Sequence, residues 1–196
     1  MIHKTVLNTI SLEFSSIARE MSSQNKKMIS LGLGEPGFST PAEVIDAAHS
    51  SMLNGENRYA SPWGTPELLL KLRKKIENKK VKIDSQELIV TLGAKQALSL
   101  CLTSILEKED EIILVSPSFV SFQPQIKMAE PTAIIKKVSL SKDSFGLDFN
   151  ALKKAISPKT RAILINFPNN PTGAVLDKVE TDELVKLAKE NNVYII

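Results

Sequence analysis

The 196-residue sequence contains a single cysteine, Cys101, and two histidines, His3 and His49. One cysteine excludes a disulfide within the chain and is typical of proteins from the reducing cytoplasm. The two histidines are far apart in the sequence and have no cysteine or carboxylate at the spacing of metal ligands. We therefore predict no metal site.

The sequence also lacks long apolar runs and a strong charge of either sign. No apolar segment approaches the ~20 residues that a membrane-spanning helix needs, and the first nine residues contain no signal-peptide pattern. The net charge is +3, from 25 Lys and Arg against 22 Asp and Glu, which is too small to argue for nucleic acid. We expect a cytoplasmic protein with no membrane or nucleic-acid partner.

Helical and strand patterns alternate from residue 40 onward. The predicted strands are 87–91, 111–115, 133–138, 161–165 and 193–196. Helix starts are indicated by a capping box at Thr40–Glu43, by Thr65–Pro66, by Asp148 and by Asp177 or Thr181, and a further helix is predicted over 119–128. Wholly apolar strands separated by helices predict a three-layer α/β/α fold with a mostly parallel sheet.

The last predicted strand lies at the very end of the sequence. Residues 193–196 form an apolar strand with nothing after it. In open α/β sheets, functional groups follow the carboxyl ends of strands. We therefore expect this chain to be a truncated part of a longer protein.

Two segments at predicted strand ends are candidate ligand sites. Gly93 permits a tight turn, after which the amides of Ala94 and Lys95 lie at a helix N-terminus that favours an anion. Phe119 follows the next strand and could stack on a planar ring. The alternatives are an ordinary strand-to-helix turn at Gly93 and a core position for Phe119.

Three loops complete the set of candidates. The segment 166–173 (NFPNNPTG) predicts a rigid loop with amide donors, in which Asn170 precedes a candidate cis bond, and its alternative is a Pro/Asn turn. The glycine-rich segment 31–38 would let backbone approach a ligand, and otherwise is a linker. The loop with Tyr59 and Gly64 is otherwise a packing hinge.

Taken in order, these segments resemble the N-terminal half of the fold type I aminotransferases that depend on pyridoxal 5′-phosphate (PLP), of the aspartate aminotransferase type. The segments that carry the resemblance are LGLGEPGF (31–38), Tyr59 with Gly64, GAKQA (93–97), PSF (117–119) and NFPNNPTG (166–173). The resemblance implies the large PLP-binding domain of that fold, incomplete in this chain. It places residues 1–45 in an N-terminal arm and small-domain segment, and residues 46–196 in the first half of the large domain.

The resemblance implies a role for each matching residue. Gly93, Ala94 and Lys95 would bind the PLP phosphate, and Tyr59 would reach the phosphate of the other subunit in a homodimer. Phe119 would stack on the pyridine ring and Asn170 would bind its phenolic oxygen. The residues near the substrate would be Gly34, Phe119, Asn166 and Asn170. Cis bonds are implied at Ser116–Pro117 and Asn170–Pro171.

The sequence departs from the family pattern in two respects. Gly37 stands where relatives usually have aspartate. The Schiff-base lysine, the aspartate that pairs with the pyridine nitrogen and the arginine that binds the substrate carboxylate all come after Ile196 in the family. No catalytic residue is therefore assigned in this chain, Lys95 included, and the chain alone is expected to be inactive.

The activity implied for the whole protein is transfer of an amino group between an amino acid, aspartate-like or aromatic, and a 2-oxo acid. PLP is the implied cofactor. Two alternatives within the fold are a carbon–sulfur lyase and an aminocyclopropane-carboxylate synthase-like enzyme. A third alternative is a non-catalytic phosphate-ligand or dimerisation module.

Overall fold

The computed structural model of the protein describes residues 16–18, 20–21, 23–24, 29, 34, 36–79, 81–84 and 87–196. It divides into two compact units, Leu33–Ala94 and a larger one that combines Met1–Gly32 with Lys95–Ile196. Most of the predicted N-terminal arm lies outside the described residues. The division of the whole protein at residue 45 stays a prediction.

The smaller unit contains two helices, α1 (Ala42–Leu53) and α2 (Pro66–Glu77), neither of which has a buried residue. Between them Gly64 has a φ of +119°, and a Cβ there would lie 2.8 Å from Cγ2 of Val90. Only glycine combines this backbone conformation with that close approach. Gly64 thus holds the loop of residues 54–65 against the segment before α3.

The larger unit is built from β/α repeats. Its strands are β1 (Glu111–Ser116), β2 (Ile134–Ser139), β3 (Thr160–Leu164) and β4 (Tyr194–Ile195). Its helices are α3 (Ala94–Ile105), α4 (Phe122–Ala129), α5 (Phe149–Ala155) and α6 (Lys178–Glu190). Within the described ranges the strands form one sheet in the order β2-β1-β3-β4, with every pair parallel. The predicted α/β class and parallel sheet are confirmed.

The core lies on both faces of this sheet because successive side chains of a strand point to opposite sides. On one face Ile113 and Ile163 pack with Leu152 of α5 and Leu184 of α6. On the other face Ile112, Leu114 and Ala162 pack with Leu102 of α3 and Ile126 of α4. The central strands β1 and β3 are buried on both sides, which fixes the positions of the loops at their carboxyl ends.

One predicted strand is wrong. Residues 87–91 form no strand, and Ile89 is 51% exposed. The amide of Val90 donates to the carbonyl of Trp63 at 2.9 Å, in the smaller unit, and the segment is not one of the four strands of the sheet. A strand needs a neighbouring strand to pair its backbone groups, which apolar sequence alone cannot supply.

Two of the predicted helix caps are confirmed, and two other predicted helix starts are wrong. Asp148 and Asp177 cap α5 and α6, because their Oδ1 atoms accept from the amides of Ala151 at 2.9 Å and Glu180 at 2.8 Å. The capping box at Thr40–Glu43 is wrong: Pro41 occupies the cap position of α1, and no side chain bonds the first turn. The helix predicted over 119–128 begins only at Phe122, because residues 119–122 form a turn closed by the amide of Phe122 on the carbonyl of Phe119 at 3.1 Å.

Within the described part of the chain, no helix has both the length and the apolar character to cross a membrane.

Candidate ligand site at the carboxyl ends of β1 and β3

The loops that follow β1 and β3 are neighbours because these two strands pair with each other. The first loop begins with Pro117 and leads to Phe119, and the second contains Asn166 and Asn170. The predicted cis bonds at Ser116–Pro117 and Asn170–Pro171 are both cis, and Phe167–Pro168 is also cis, which the sequence did not predict. Two separate motifs therefore meet at one edge of the sheet.

Asn169 joins the two loops directly. It is 5% exposed, and its Nδ2 donates to the carbonyl oxygen of Pro117 at 3.2 Å. Its Oδ1 accepts from the amide of Thr172 at 3.2 Å and from Oγ1 of Thr172 at 2.9 Å. No sequence pattern indicated this residue, because its contact with Pro117 spans 52 positions of the sequence.

Phe119 is half-buried at the boundary between the core and the surface. Its ring contacts Phe122 edge-on, with the centroids 5.7 Å apart, and it packs against the core beneath α4. The ammonium of Lys95 lies 5.4 Å from the Phe119 ring centroid, which is the geometry of a cation–π contact. The structure thus brings Phe119 and Lys95 together.

Lys95 belongs to the first turn of α3, which begins at Ala94 directly after Gly93. Gly93 has a φ of +84°, and its amide donates to the carbonyl of Thr91 at 2.8 Å, so the predicted tight turn is present. Residues 93–95 are exposed. The first amides of a helix have no partner within the helix, so this turn offers N–H donors beside the positive charge of Lys95.

The two predicted asparagines of the second loop differ in their surroundings. Asn170 is exposed at the middle of the loop, and its side chain is accessible to a ligand. Asn166 is half-buried, and its Nδ2 donates to the carbonyl of Pro168 at 2.7 Å. The Asn166 amide therefore stabilises the loop.

The remaining predicted residues lie in the smaller unit. The Tyr59 side chain is fully exposed, with a relative accessibility of 108%. Gly34 is also exposed, and most of the glycine-rich segment before Pro36 lies outside the described residues.

Two polar side chains near Phe119 lack partners among the described residues. Oγ of Ser121 and Oε1 of Gln125 are buried without a hydrogen bond, one turn apart at the start of α4. Sequence analysis did not single out either residue, since polar residues between apolar ones on a short helix give no signal of burial.

The charge of the site comes from Lys95 and from helix α3. The acidic residue with a perturbed pKa in the sheet, Glu111, is the first residue of β1, at the opposite end of that strand. Over the described ranges, no three His, Cys, Asp or Glu side chains are arranged to hold a metal ion. The site presents amide donors, a cation and an aromatic face, a set that suits a planar ligand with an anionic group.

An α/β fold with a ligand site at the carboxyl edge of parallel strands defines a broad class of cofactor-binding proteins. Comparison with known families narrows this class. The family described as "Aminotransferase class I and II" matches residues 26–196. The chain belongs to the class I and II aminotransferase family.

Individual relatives agree with this assignment. The chain is 35% identical to an aspartate aminotransferase of Bacillus sp. (strain YM-2), over 98% of this chain and 49% of that protein. It is 36% identical to the aspartate/prephenate aminotransferase of Thermus thermophilus, over 91% of this chain and 46% of that protein. The chain therefore spans about half the length of these relatives.

The fold matches solved structures of the same kind. The structure of the Thermus thermophilus aspartate aminotransferase with maleate superposes with a TM-score of 0.92 at 33% identity, over 100% of this chain and 52% of that one. The aspartate aminotransferase of Thermotoga maritima gives a TM-score of 0.91 at 34% identity, over 99% of this chain and 52% of that one.

Proposed function

We propose that the protein to which this chain belongs is a PLP-dependent aminotransferase, and that this chain supplies the first part of its PLP site. The observation that carries the proposal is the meeting of Lys95, Phe119 and the Asn166–Asn170 loop at the ends of β1 and β3. These residues come from three separated segments of the sequence. Membership of the aminotransferase family supports the same conclusion.

The donor set fits PLP, which carries an anionic phosphate, a planar pyridine ring and a phenolic oxygen. The exposed turn at Gly93, Ala94 and Lys95 suits the phosphate, because helix amides and a lysine both favour an anion. The Phe119 ring suits the pyridine face, and the exposed amide of Asn170 suits the phenolic oxygen. Each group of the cofactor thus has a chemically matched residue.

When bound, PLP supplies an electron sink for the α-carbon of an amino acid. The part of this chain is to hold and orient the cofactor: the α3 turn neutralises phosphate charge, and Phe119 excludes water from one ring face. Asn170 stabilises negative charge at the phenolic oxygen by donating a hydrogen bond. Lys95 is assigned to the phosphate, so no residue of this chain is assigned to proton transfer at the α-carbon.

We further propose that the amino donor is an aspartate-like or aromatic amino acid and that the acceptor is a 2-oxo acid. The Thermus relative whose structure was solved with maleate supports the acidic choice, since maleate is a dicarboxylate with four carbons, as aspartate is. The relative named for both aspartate and prephenate supports a site that accepts a ring as well. Gly34 and Asn166 are assigned to the surroundings of the substrate.

The full exposure of Tyr59 supports a homodimer in which this side chain serves the site of the neighbouring subunit. A tyrosine with no cover in its own chain offers both an aromatic surface and a hydroxyl to a partner. Tyr59 is therefore assigned to the PLP phosphate across the subunit interface.

The test uses the purified full-length protein with PLP. We expect a visible absorbance band from bound PLP and transfer of the amino group from aspartate or an aromatic amino acid to a 2-oxo acid. Release of a thiol from a cysteine conjugate, or turnover of S-adenosylmethionine, would instead establish a lyase or an aminocyclopropane-carboxylate synthase-like enzyme. Absence of both PLP binding and turnover would contradict the proposal and favour a non-catalytic module.

The 196-residue chain provides a matched comparison. We expect it to show no transamination above the rate of free PLP, because none of its residues is assigned to the covalent bond with the cofactor. Turnover by this chain at a rate near that of the full-length protein would show that the catalytic lysine lies within residues 1–196.

A further inference from the structure

The turn that contains Asn170 is closed on both sides by the preceding residue, Asn169. The amide of Asn169 donates to the carbonyl of Ala174 at 2.8 Å, and the carbonyl of Asn169 accepts from the amide of Gly173 at 2.7 Å. Its side chain accepts twice from Thr172. The backbone that carries Asn170 is therefore held by several hydrogen bonds that all involve Asn169.

The same side chain reaches the other loop of the site. Nδ2 of Asn169 donates to the carbonyl of Pro117, two residues before Phe119. With a residue exposure of 5%, this side chain is almost fully shielded from water. A buried amide with both ends bonded has one favourable orientation, because rotation would leave buried groups without partners.

We propose that Asn169 is a positioning residue for cofactor binding: it sets the distance between the aromatic face of Phe119 and the amide of Asn170. The inference rests on the proposed function. Phe119 and Asn170 must contact two different parts of one rigid ring system, so a small error in their separation prevents both contacts from being made together. The bond from Asn169 to Pro117 connects the two segments that must be kept in register.

The test compares Asn169→Ala with the wild type in the full-length, PLP-loaded protein. We expect the dissociation constant for PLP to rise about tenfold to a hundredfold, the range expected when buried partners are left unpaired. We also expect the pH midpoint of the bound-PLP absorbance band to rise, as in Asn170→Ala, because the anionic phenolic oxygen loses a well-placed donor. A purely structural role would leave this midpoint unchanged.

A double variant identifies the route of the effect. If Asn169 acts on the midpoint through Asn170, Asn169→Ala produces no further midpoint shift in the Asn170→Ala background. An equal shift in both backgrounds would overturn the inference.

Two further variants keep the test decisive. Asn191→Ala is the matched control, because Nδ2 of Asn191 also donates to a backbone carbonyl, that of Leu187 at 2.8 Å at the end of α6. We expect wild-type PLP affinity and midpoint for this variant. If Asn169→Ala does not fold, Thr172→Val removes one donor to Asn169 and is expected to raise the midpoint by a smaller amount.

The outcomes separate the two proposals. If the wild-type protein binds PLP and the variants of Asn169 and Thr172 match it in affinity and midpoint, the role of Asn169 alone is overturned. A wild-type protein that does not bind PLP would overturn the proposed function, and the inference that rests on it.

Discussion

Phe119 shows how one side chain serves two demands. Its inner edge packs with Phe122 and the core, while the ammonium of Lys95 lies over its ring. The two interpretations of this residue from sequence, core and stacking surface, are therefore not exclusive. A ring fixed by core packing costs little entropy when a second ring stacks on it.

We expect Phe119→Leu to weaken PLP binding by about threefold to tenfold, because the aliphatic side chain keeps the packing and loses the ring-on-ring contact. Phe119→Trp should bind PLP at least as tightly as the wild type. Equilibrium titration followed by absorbance checks both. Phe145→Leu, a change at a 44% exposed ring outside the site, is the control. Equal PLP affinity of Phe119→Leu and wild type would contradict the assignment.

Glu111, at the start of β1, forms a network of hydrogen bonds with polar side chains of neighbouring segments. Burial raises the pKa of its carboxyl, but hydrogen bonds from Lys136, Ser157 and Thr160 outweigh burial and hold the pKa below the usual 4.5. Nζ of Lys136 lies 2.6 Å from Oε2 of Glu111 and also donates to the carbonyl of Ala155 at 2.9 Å. The ionised carboxylate is therefore favoured in the folded state.

Glu111→Gln should lower the free energy of unfolding at pH 7 by about 1–3 kcal/mol. This range allows for solvent screening of the ion pair, because Lys136 is partly exposed. A depressed folded-state pKa gives stability that is present above the unfolded-state value of 4.5 and is lost as the pH falls through the folded-state value. The difference between wild type and variant should therefore shrink on acidification. Urea denaturation at several pH values measures it. Glu183→Gln, which breaks a partly exposed ion pair with Lys153, is the control and is expected to be near neutral. A difference that grows on acidification would contradict the pKa direction.

At the level of elements, the predictability of the fold follows from burial. Strands β1 and β3 are buried on both faces, so unbroken apolar runs indicated them. Residues 87–91 have a similar composition and form no strand, because strand formation depends on a partner that the local sequence does not contain. The candidate site residues were indicated by motifs in the sequence. The position of Asn169 between the two loops follows only from the pairing of β1 with β3.

The N-terminal caps of α6 and α1 differ, and the difference can be measured as stability. Asp177→Ala removes the carboxylate of a complete capping box and should lower the free energy of unfolding by about 1 kcal/mol. Thr40→Ala, at the start of α1, should change it by less than about half that amount, because α1 has no side-chain cap. Thermal or urea denaturation distinguishes the two. A larger loss in Thr40→Ala than in Asp177→Ala would contradict these cap assignments.

For the whole molecule, the proposed dimer predicts that two defective variants restore each other. In a mixed dimer of Tyr59→Ala and Asn170→Ala subunits, the subunit carrying Tyr59→Ala retains its own Asn170 and receives an intact Tyr59 from its partner. Random pairing makes half of the dimers mixed, and each has one intact site of two, so about one quarter of wild-type activity should return. Co-expression with separable tags and an activity assay measures this.

The control for this experiment is each variant expressed alone, which should retain little activity. Recovery no greater than the average of the two variants would contradict a site shared between subunits. PLP binding by residues 93–95, Phe119 and Asn170 is a separate question, which direct titration of PLP answers.

The hydrogen bond between Asn169 and Pro117 has a consequence for biogenesis. Its two partners are 52 positions apart in the sequence, with α4, β2, α5 and β3 between them. Contacts across such a separation form late, because the intervening chain must be ordered first. Under the proposed function, a growing polypeptide would thus acquire its PLP-binding loops in register only after the parallel strands have assembled. PLP present during translation would then bind only chains in which these strands are already in place.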